Sequence, residues 1–224
     1  MSQLFDKNKP YVIVCEGVDD HCFIDSYLKF LAGVDSIDYD KYKIMEAKGV
    51  NNIPIFMNQY ARYDDHEDIK SFLFVRDADA NVDGAVASMR DNISKVWGIK
   101  LGITGEIQKS PEGVNVGFFI FPGLDETGKY RSGMLEDLCS EILQFPSFNA
   151  EIIPKLVNVH MEKIQSETHI EFNNPHKNRM HLIFNSTNKL VGSKIPNAID
   201  KHVFDFSSVK LETLKERIIS MQNR

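Results

Sequence analysis

The stretch Phe72-Leu73-Phe74-Val75-Arg76-Asp77-Ala78-Asp79 runs apolar and then stops at two carboxylates spaced i, i+2. An apolar run bounded by polar residues suits a buried central strand of a parallel sheet. The carboxyl end of such a strand opens into the crevice that α/β sheets use for ligands. Two acids placed there repel each other unless a cation or a shared proton compensates them. Further acids follow other strand-like runs: Glu16 directly after Tyr11–Cys15, and Asp125, Glu136 and Asp137 beyond Val114–Phe121. In a parallel sheet these acids and Lys48 can meet at one rim. Hard carboxylate oxygens suit Mg²⁺ (or Mn²⁺), which keeps several waters and binds through one or two carboxylates plus substrate phosphate. With this many acids, one ion or two about 4 Å apart fit, the pair being the arrangement that serves phosphoryl transfer. Lys48-Gly49, just before a helix start, has the residue types that cradle a phosphate.

The elements that must position these groups follow from periodicity. Tyr11–Cys15 is expected as a first strand, followed by a helix with apolar positions Phe23, Ile24, Tyr27, Leu28 and Leu31, closed by Gly33. Asp19 and Asp20 fall in its first turn, where the helix dipole by itself accounts for them. Tyr42–Glu46 is a second strand, Ile53–Tyr60 a helix, and residues 62–70 a loop into the central strand. Val82–Trp97 repeats apolar residues at three and four and stops at Gly98. Residues 99–113, with three glycines and one proline, read as an exposed excursion, and Val114–Phe121 as the fourth strand. A mobile loop is expected over 124–133, then an amphipathic helix from Met134 to Leu143. Beyond Pro146 the pattern is helical: 152–165, Asn174-Pro175 through Phe184, a polar turn-rich stretch over 185–197, and a last helix marked by Val209, Leu211, Leu214, Ile218 and Met221. The order implies an α/β fold, a mainly parallel Rossmann-like sheet with helices on both faces over residues 8–147, with a helical C-terminal extension over 148–224 packed on it.

Composition bounds the function classes. The 224 residues are 42% hydrophobic and 26% charged, ordinary for a globular chain. No stretch reaches the roughly 20 apolar residues of a membrane helix, so no membrane partner is expected. Met1–Lys7 lacks the apolar core of a signal peptide. Three cysteines, without C-x-x-C spacing, suit a reduced cytoplasmic protein better than a disulfide or zinc framework. The net charge of −6 is uneven: 15 Lys+Arg against 24 Asp+Glu over residues 1–150, and 11 against 8 over 151–224. The seven histidines show no metal-ligand spacing. Trp97 with Phe118, Phe119 and Phe121 reads as core, not as a base-stacking platform.

Asp77-x-Asp79-x-Asn81 begins like a calcium-binding EF-hand loop, but its sixth position is Val82, its twelfth is Ser88, and a strand precedes it. An aspartate-nucleophile phosphatase would carry its D-x-D on the first strand. The set Val14-Cys15-Glu16-Gly17 with Asp20, followed one βαβα unit later by Val75-Arg76-Asp77-Ala78-Asp79, instead resembles the TOPRIM domain over residues 10–125. Gly133-Met134-Leu135-Glu136-Asp137-Leu138, with the Lys177-Asn178-Arg179 helix and the stretch near Gly192, is similar to the stand-alone, OLD-nuclease-like branch of that superfamily.

The resemblance implies Glu16, Asp77 and Asp79 as metal ligands, with Asp20, Glu136 and Asp137 as further ones. It also implies Glu16 as a catalytic acid or base, and Lys177 as the basic residue facing the transition state, with Arg179, Lys189 and Lys194 competing for that role. The chain lacks the G-x-x-x-x-G-K-[ST] motif of the ATPase that OLD nucleases carry, so it would act alone or with a separate protein partner. The expected function is a Mg²⁺-dependent nuclease acting on DNA or RNA. The alternative is a non-catalytic module that binds metal or nucleotide for a protein partner.

Overall fold

The structure is a computed structural model that describes residues 6, 8–35, 37–60, 68–144, 149 and 152–222. It is a mixed α/β fold with a central sheet flanked by helices. Five strands, β1 (Tyr11–Cys15), β2 (Tyr42–Glu46), β3 (Ser71–Asp77), β4 (Gln108–Lys109) and β5 (Asn115–Phe121), lie in the order β2-β1-β3-β5-β4. The first three and β5 are parallel, with Val14 opposite Phe74 and Phe74 opposite Phe118. Strand β3 therefore sits at the centre, and all seven of its residues are buried. Parallel strands covered on both faces need apolar residues on both, which explains the unbroken Phe72–Val75 run.

The helices are α1 (Val18–Val34), α2 (Ile53–Tyr60), α3 (Val82–Trp97), α4 (Leu135–Glu141), α5 (Ile152–Thr168), α6 (Pro175–Asn185), α7 (Ile195–Asp200) and α8 (Glu212–Ser220). Alternation along β3 sends Phe72 and Phe74 to one face, where they meet Tyr60 of α2 and Trp97 of α3 at ring separations of 4.4–5.7 Å. The opposite face presents Phe121 to Phe23 of α1, edge-on at 6.0 Å. Phe23 in turn meets Phe204 and Phe206. The extension is thus continuous with the core. Tyr27 donates to the Leu211 carbonyl, Tyr42 to that of Ile218 and Ser71 to that of Met221. The boundary expected at 147/148 lies outside the described residues, as does most of the loop expected over 62–70.

Five local expectations need correction. Helix α1 runs through Gly33 to Val34, because Gly33 keeps a helical conformation. The excursion over 99–113 docks on the sheet: Leu101 is buried, Phe118 donates its N–H to the Gly105 carbonyl, and β4 pairs antiparallel with β5. Gly105, at φ 68, lies so close to Phe118 that a Cβ there would overlap its carbonyl. The loop over 124–133 is tied down, since Tyr130 is buried and donates to the Thr104 carbonyl, and Arg131 pairs with Glu141 at 2.7 Å. Helix α4 is shorter than expected, stopping at Glu141. The polar stretch 185–197 contains the start of α7, whose Ile195 and Ala198 are buried. The expected stops hold elsewhere: Gly98 ends α3 at φ 67, and Asn174 caps α6 by accepting from the Lys177 N–H at 2.9 Å.

Phe74 is fully buried between the sheet and Trp97. Phe74→Ala is expected to lower the unfolding free energy by about 3–5 kcal/mol, read from the urea midpoint at unchanged slope.

Candidate functional site

The strand ends converge as a parallel sheet requires. Glu16 follows β1, and the backbone then turns at Gly17 into α1. Asp20 reaches back to accept the Gly17 N–H at 2.9 Å, so the first turn of α1 is closed by one of the acids. Asp77 ends β3 and accepts the N–H of Leu135, the first residue of α4, at 2.9 Å. A carboxylate at that position also meets the positive end of the helix dipole. The next residue, Glu136, is thereby carried to the same rim. Glu16, Asp19, Asp20, Asp77, Glu136 and Lys177 line one cavity of about 250 Å³.

Three of these carboxylates are deeply buried: Asp20 at 5%, Asp77 at 7% and Glu136 at 6% exposure. Burial, opposed by the Gly17 N–H and reinforced by the charges of Glu16 and Glu136, pushes Asp20 up to about 7. Asp77 is raised by burial and then by Asp20, Glu136 and Glu16, against the bond from Leu135. Glu136 is raised by burial, partly offset by Lys177. Glu16 is raised by burial, with Arg76 opposing and Asp79 reinforcing the shift. Its Oε2 is buried without a hydrogen-bond partner among the described residues. Burial alone would lower Lys177, but Glu136, Asp19 and Asp77 raise it, and its Nζ stands 3.6 Å from the Glu136 carboxylate. One ammonium faces five acids.

The other sequence candidates stand differently. Asp79 is exposed, at φ 52, and outside the cavity lining. It exchanges both backbone hydrogen bonds with Gly133, at 2.9 and 2.8 Å, and so pins the end of β3 to the approach of α4. Asn81, not Asp79, caps α3 by accepting from Gly84 at 2.9 Å. Asp137 turns to the Met134 N–H at 2.9 Å and to His176 Nδ1 at 2.7 Å, with Arg179 at 4.0 Å. Its carboxylate closes the first turn of α4 and ties it to α6. The Gly49 N–H donates to the Glu16 carbonyl at 2.9 Å, while Lys48 is exposed and neither residue lines the acid cavity. Asp125 builds its own turn by accepting from Thr127 and Lys129. Two groups escaped the sequence reading. Asp19 lines the cavity, although its place in a helix first turn offered a sufficient reason for it. Arg76 is buried beside Glu16 and donates to the Asp77 carbonyl at 3.0 Å.

The model of one protein family, described as "Protein of unknown function (DUF3226)", matches residues 10–219. The chain belongs to the DUF3226 family. No curated protein and no solved structure matches it. The DUF3226 match covers the whole rim from Glu16 to Lys177, and it runs across the boundary expected at 147/148.

Among the described residues, no group of three or more His, Cys, Asp or Glu side chains is placed so that it could hold a metal ion by itself. The donor set nevertheless fits a hard divalent cation. It is all carboxylate, its nearby positive charge is Lys177 with Arg76 beside Glu16, and Glu16 Oε2 has no hydrogen-bond partner among the described residues. Mg²⁺ needs few protein ligands, taking its remaining oxygens from water and substrate. Among the described residues, no helix is long and apolar enough to cross a membrane.

Two outcomes follow from the DUF3226 site. The Asp20 carboxyl keeps its proton to about pH 7 in the fold, but only to roughly 3.9 in the unfolded chain. A raised carboxyl penalises the fold increasingly as pH climbs through that window, and not below it. Asp20→Asn is therefore expected to raise the melting temperature of the metal-free protein by ~2–4 °C at pH 8, about 1 kcal/mol, and by nothing near pH 4. An equal gain at both pH values would contradict this. Gly133, at φ 129, has Asp137 Oδ2 only 2.5 Å from where a Cβ would stand. Gly133→Ala is expected to cost about 1–3 kcal/mol in chemical denaturation.

Proposed function

We propose that this DUF3226 protein is a divalent-cation-dependent phosphodiesterase acting on nucleic acid, with a TOPRIM-like arrangement of its acids. The observation that carries this reading is the cavity itself: among the described residues, five carboxylates from three separate segments face one lysine, and a buried Glu16 oxygen has no partner. Buried charge without compensation is costly. The chain tolerates this at the carboxyl ends of its central strands, the place where α/β sheets bind ligands.

Glu16, Asp20, Asp77 and Glu136 would hold the cation, Mg²⁺ or Mn²⁺, as one ion or two. When bound, it supplies positive charge against the charge that develops on the phosphoryl oxygens. The chain's own groups do the rest. Glu16 Oε2 accepts the proton of the attacking water as the new O–P bond forms. The ester P–O bond opposite breaks, and the leaving oxygen takes up a proton from solvent. Lys177 Nζ neutralises charge on the phosphate from the side of α6. Asp137 and Gly133 act as positioning residues, since they hold the start of α4 and with it Glu136. Asp79 sits next to Glu16 electrostatically and joins the ligand set if a second ion binds.

Calorimetric titration of Mg²⁺ and Mn²⁺ into metal-free protein, beside hydrolysis of single-stranded DNA and RNA, tests the reading. Binding is expected in the wild type and is expected to be lost in Asp77→Asn. Hydrolysis is expected to fall at least ~100-fold in Asp77→Asn and Glu16→Gln, with both variants retaining the wild-type circular dichroism. Cation binding without hydrolysis would make the chain a binding module for a protein partner. Cleavage retained in both variants would remove the ligand assignment.

A further inference from the structure

A second cavity, of about 170 Å³, shares Asp19, Glu136 and Lys177 with the acid cavity and extends away from it between α6 and α7. Its floor is apolar, made by Met180, Phe184 and Ile195, all buried. Its far rim carries Lys194 and His181. His181 stands one turn beyond Lys177 on α6, so both side chains share a helix face. Lys194 is held by the turn before α7. There Lys201 Nζ donates to the Lys189 carbonyl at 2.8 Å and to Ser193 Oγ at 2.9 Å, and the Gly192 N–H donates to Asn185 at 2.9 Å. Among the described residues, neither Lys194 nor His181 has an ion-pair partner. This rim is thus a built turn that presents Lys194 and His181 outside any ion pair among the described residues, across the cavity from Asp19 and Glu136.

We infer that the second cavity is the subsite for the phosphate adjacent to the scissile one on a nucleic-acid strand, contacted by Lys194 and His181. The inference rests on the hydrolytic reading of the acid cavity. A strand carries one phosphate per nucleotide, so a scissile phosphate at Glu16 and Asp77 must place its neighbour over adjoining protein. Most of that surround is acidic and repels it. The wall shared through Lys177 leads instead to two further basic side chains. The small volume and apolar floor fit a single sugar–phosphate unit of a strand. Lysine binds phosphate as a point charge, without the geometry of a bidentate arginine. The contact therefore adds affinity and direction along the strand but no base preference.

The test is fluorescence anisotropy with a labelled 12-nucleotide single strand, Ca²⁺ replacing Mg²⁺ to keep the strand intact. Lys194→Ala with His181→Ala is expected to weaken binding about 10-fold. It should also flatten the plot of log affinity against log salt by roughly 0.7 for the lost phosphate contact. Lys194→Arg should restore most of the affinity to the His181-intact protein. Both residues are exposed, and an unchanged melting temperature separates lost contact from lost fold. Unchanged affinity and salt slope in the double variant would overturn the subsite. Wild-type hydrolysis of bis(p-nitrophenyl) phosphate, a diester with no neighbouring phosphate, reports on the acid cavity separately. If the wild type hydrolyses it but binds no strand, the subsite falls and the hydrolytic reading stands. If it binds the strand through Lys194 without hydrolysing the diester, the reverse holds.

Discussion

Strand β3 is buried along its whole length and ends in a carboxylate that lines the acid cavity. That constraint orders much of what surrounds it. A buried aspartate must find donors or countercharge, and Asp77 finds one donor, the first N–H of α4. The bond draws α4 onto the sheet end and delivers Glu136 there, which adds a further charge to the same small space. Asp20 is fixed to the Gly17 N–H and cannot turn away. The fold thus spends its local hydrogen bonds on holding mutually repelling groups together.

The connection between β3 and α4 is correspondingly stiff. Asp79 and Gly133 exchange two backbone bonds, Tyr130 is buried beneath the loop, and Arg131 reaches Glu141. Asp137 closes the first turn of α4 and links it through His176 to α6, the helix that bears Lys177. A shift of α4 would therefore move an acid and the opposing lysine together, preserving their separation.

How much of this was legible in the sequence depends on the residue. Glu16, Asp77 and Glu136 were readable because each follows or faces the end of a strand whose apolar pattern is strong. Asp19 was not, since the helix dipole already explains an acid in a first turn. Lys194 was readable as a rival to Lys177, and the turn near Ser193 is what brings it to the same cavity. His181 lies one helical turn beyond Lys177 on α6, but a single histidine at that spacing gives no signal of its own. The antiparallel edge strand escaped because two paired residues leave no periodicity, and its docking depends on the close approach of Gly105 to Phe118. Helix α7 was hidden by Pro196, which a helix accepts only in its first turn, and by the polar Asn197 beside it. Asp79 shows the opposite limit: its spacing from Asp77 suggests equivalence, yet the backbone bend at φ 52 sends the two carboxylates to different surroundings.

The hydrogen bonds from Tyr27, Tyr42 and Ser71 to carbonyls at Leu211, Ile218 and Met221 join parts of the chain 150 to 184 positions apart. Contacts of that separation slow folding, because a long loop must close before they contribute. On the ribosome, β1, β2 and β3 emerge well before the segment that seals their near ends. Until then the phenol and hydroxyl groups face water, and the apolar faces beside them have no cover. The nascent sheet therefore carries uncovered surface until its last helix arrives, the kind of surface that promotes pairing between chains during folding.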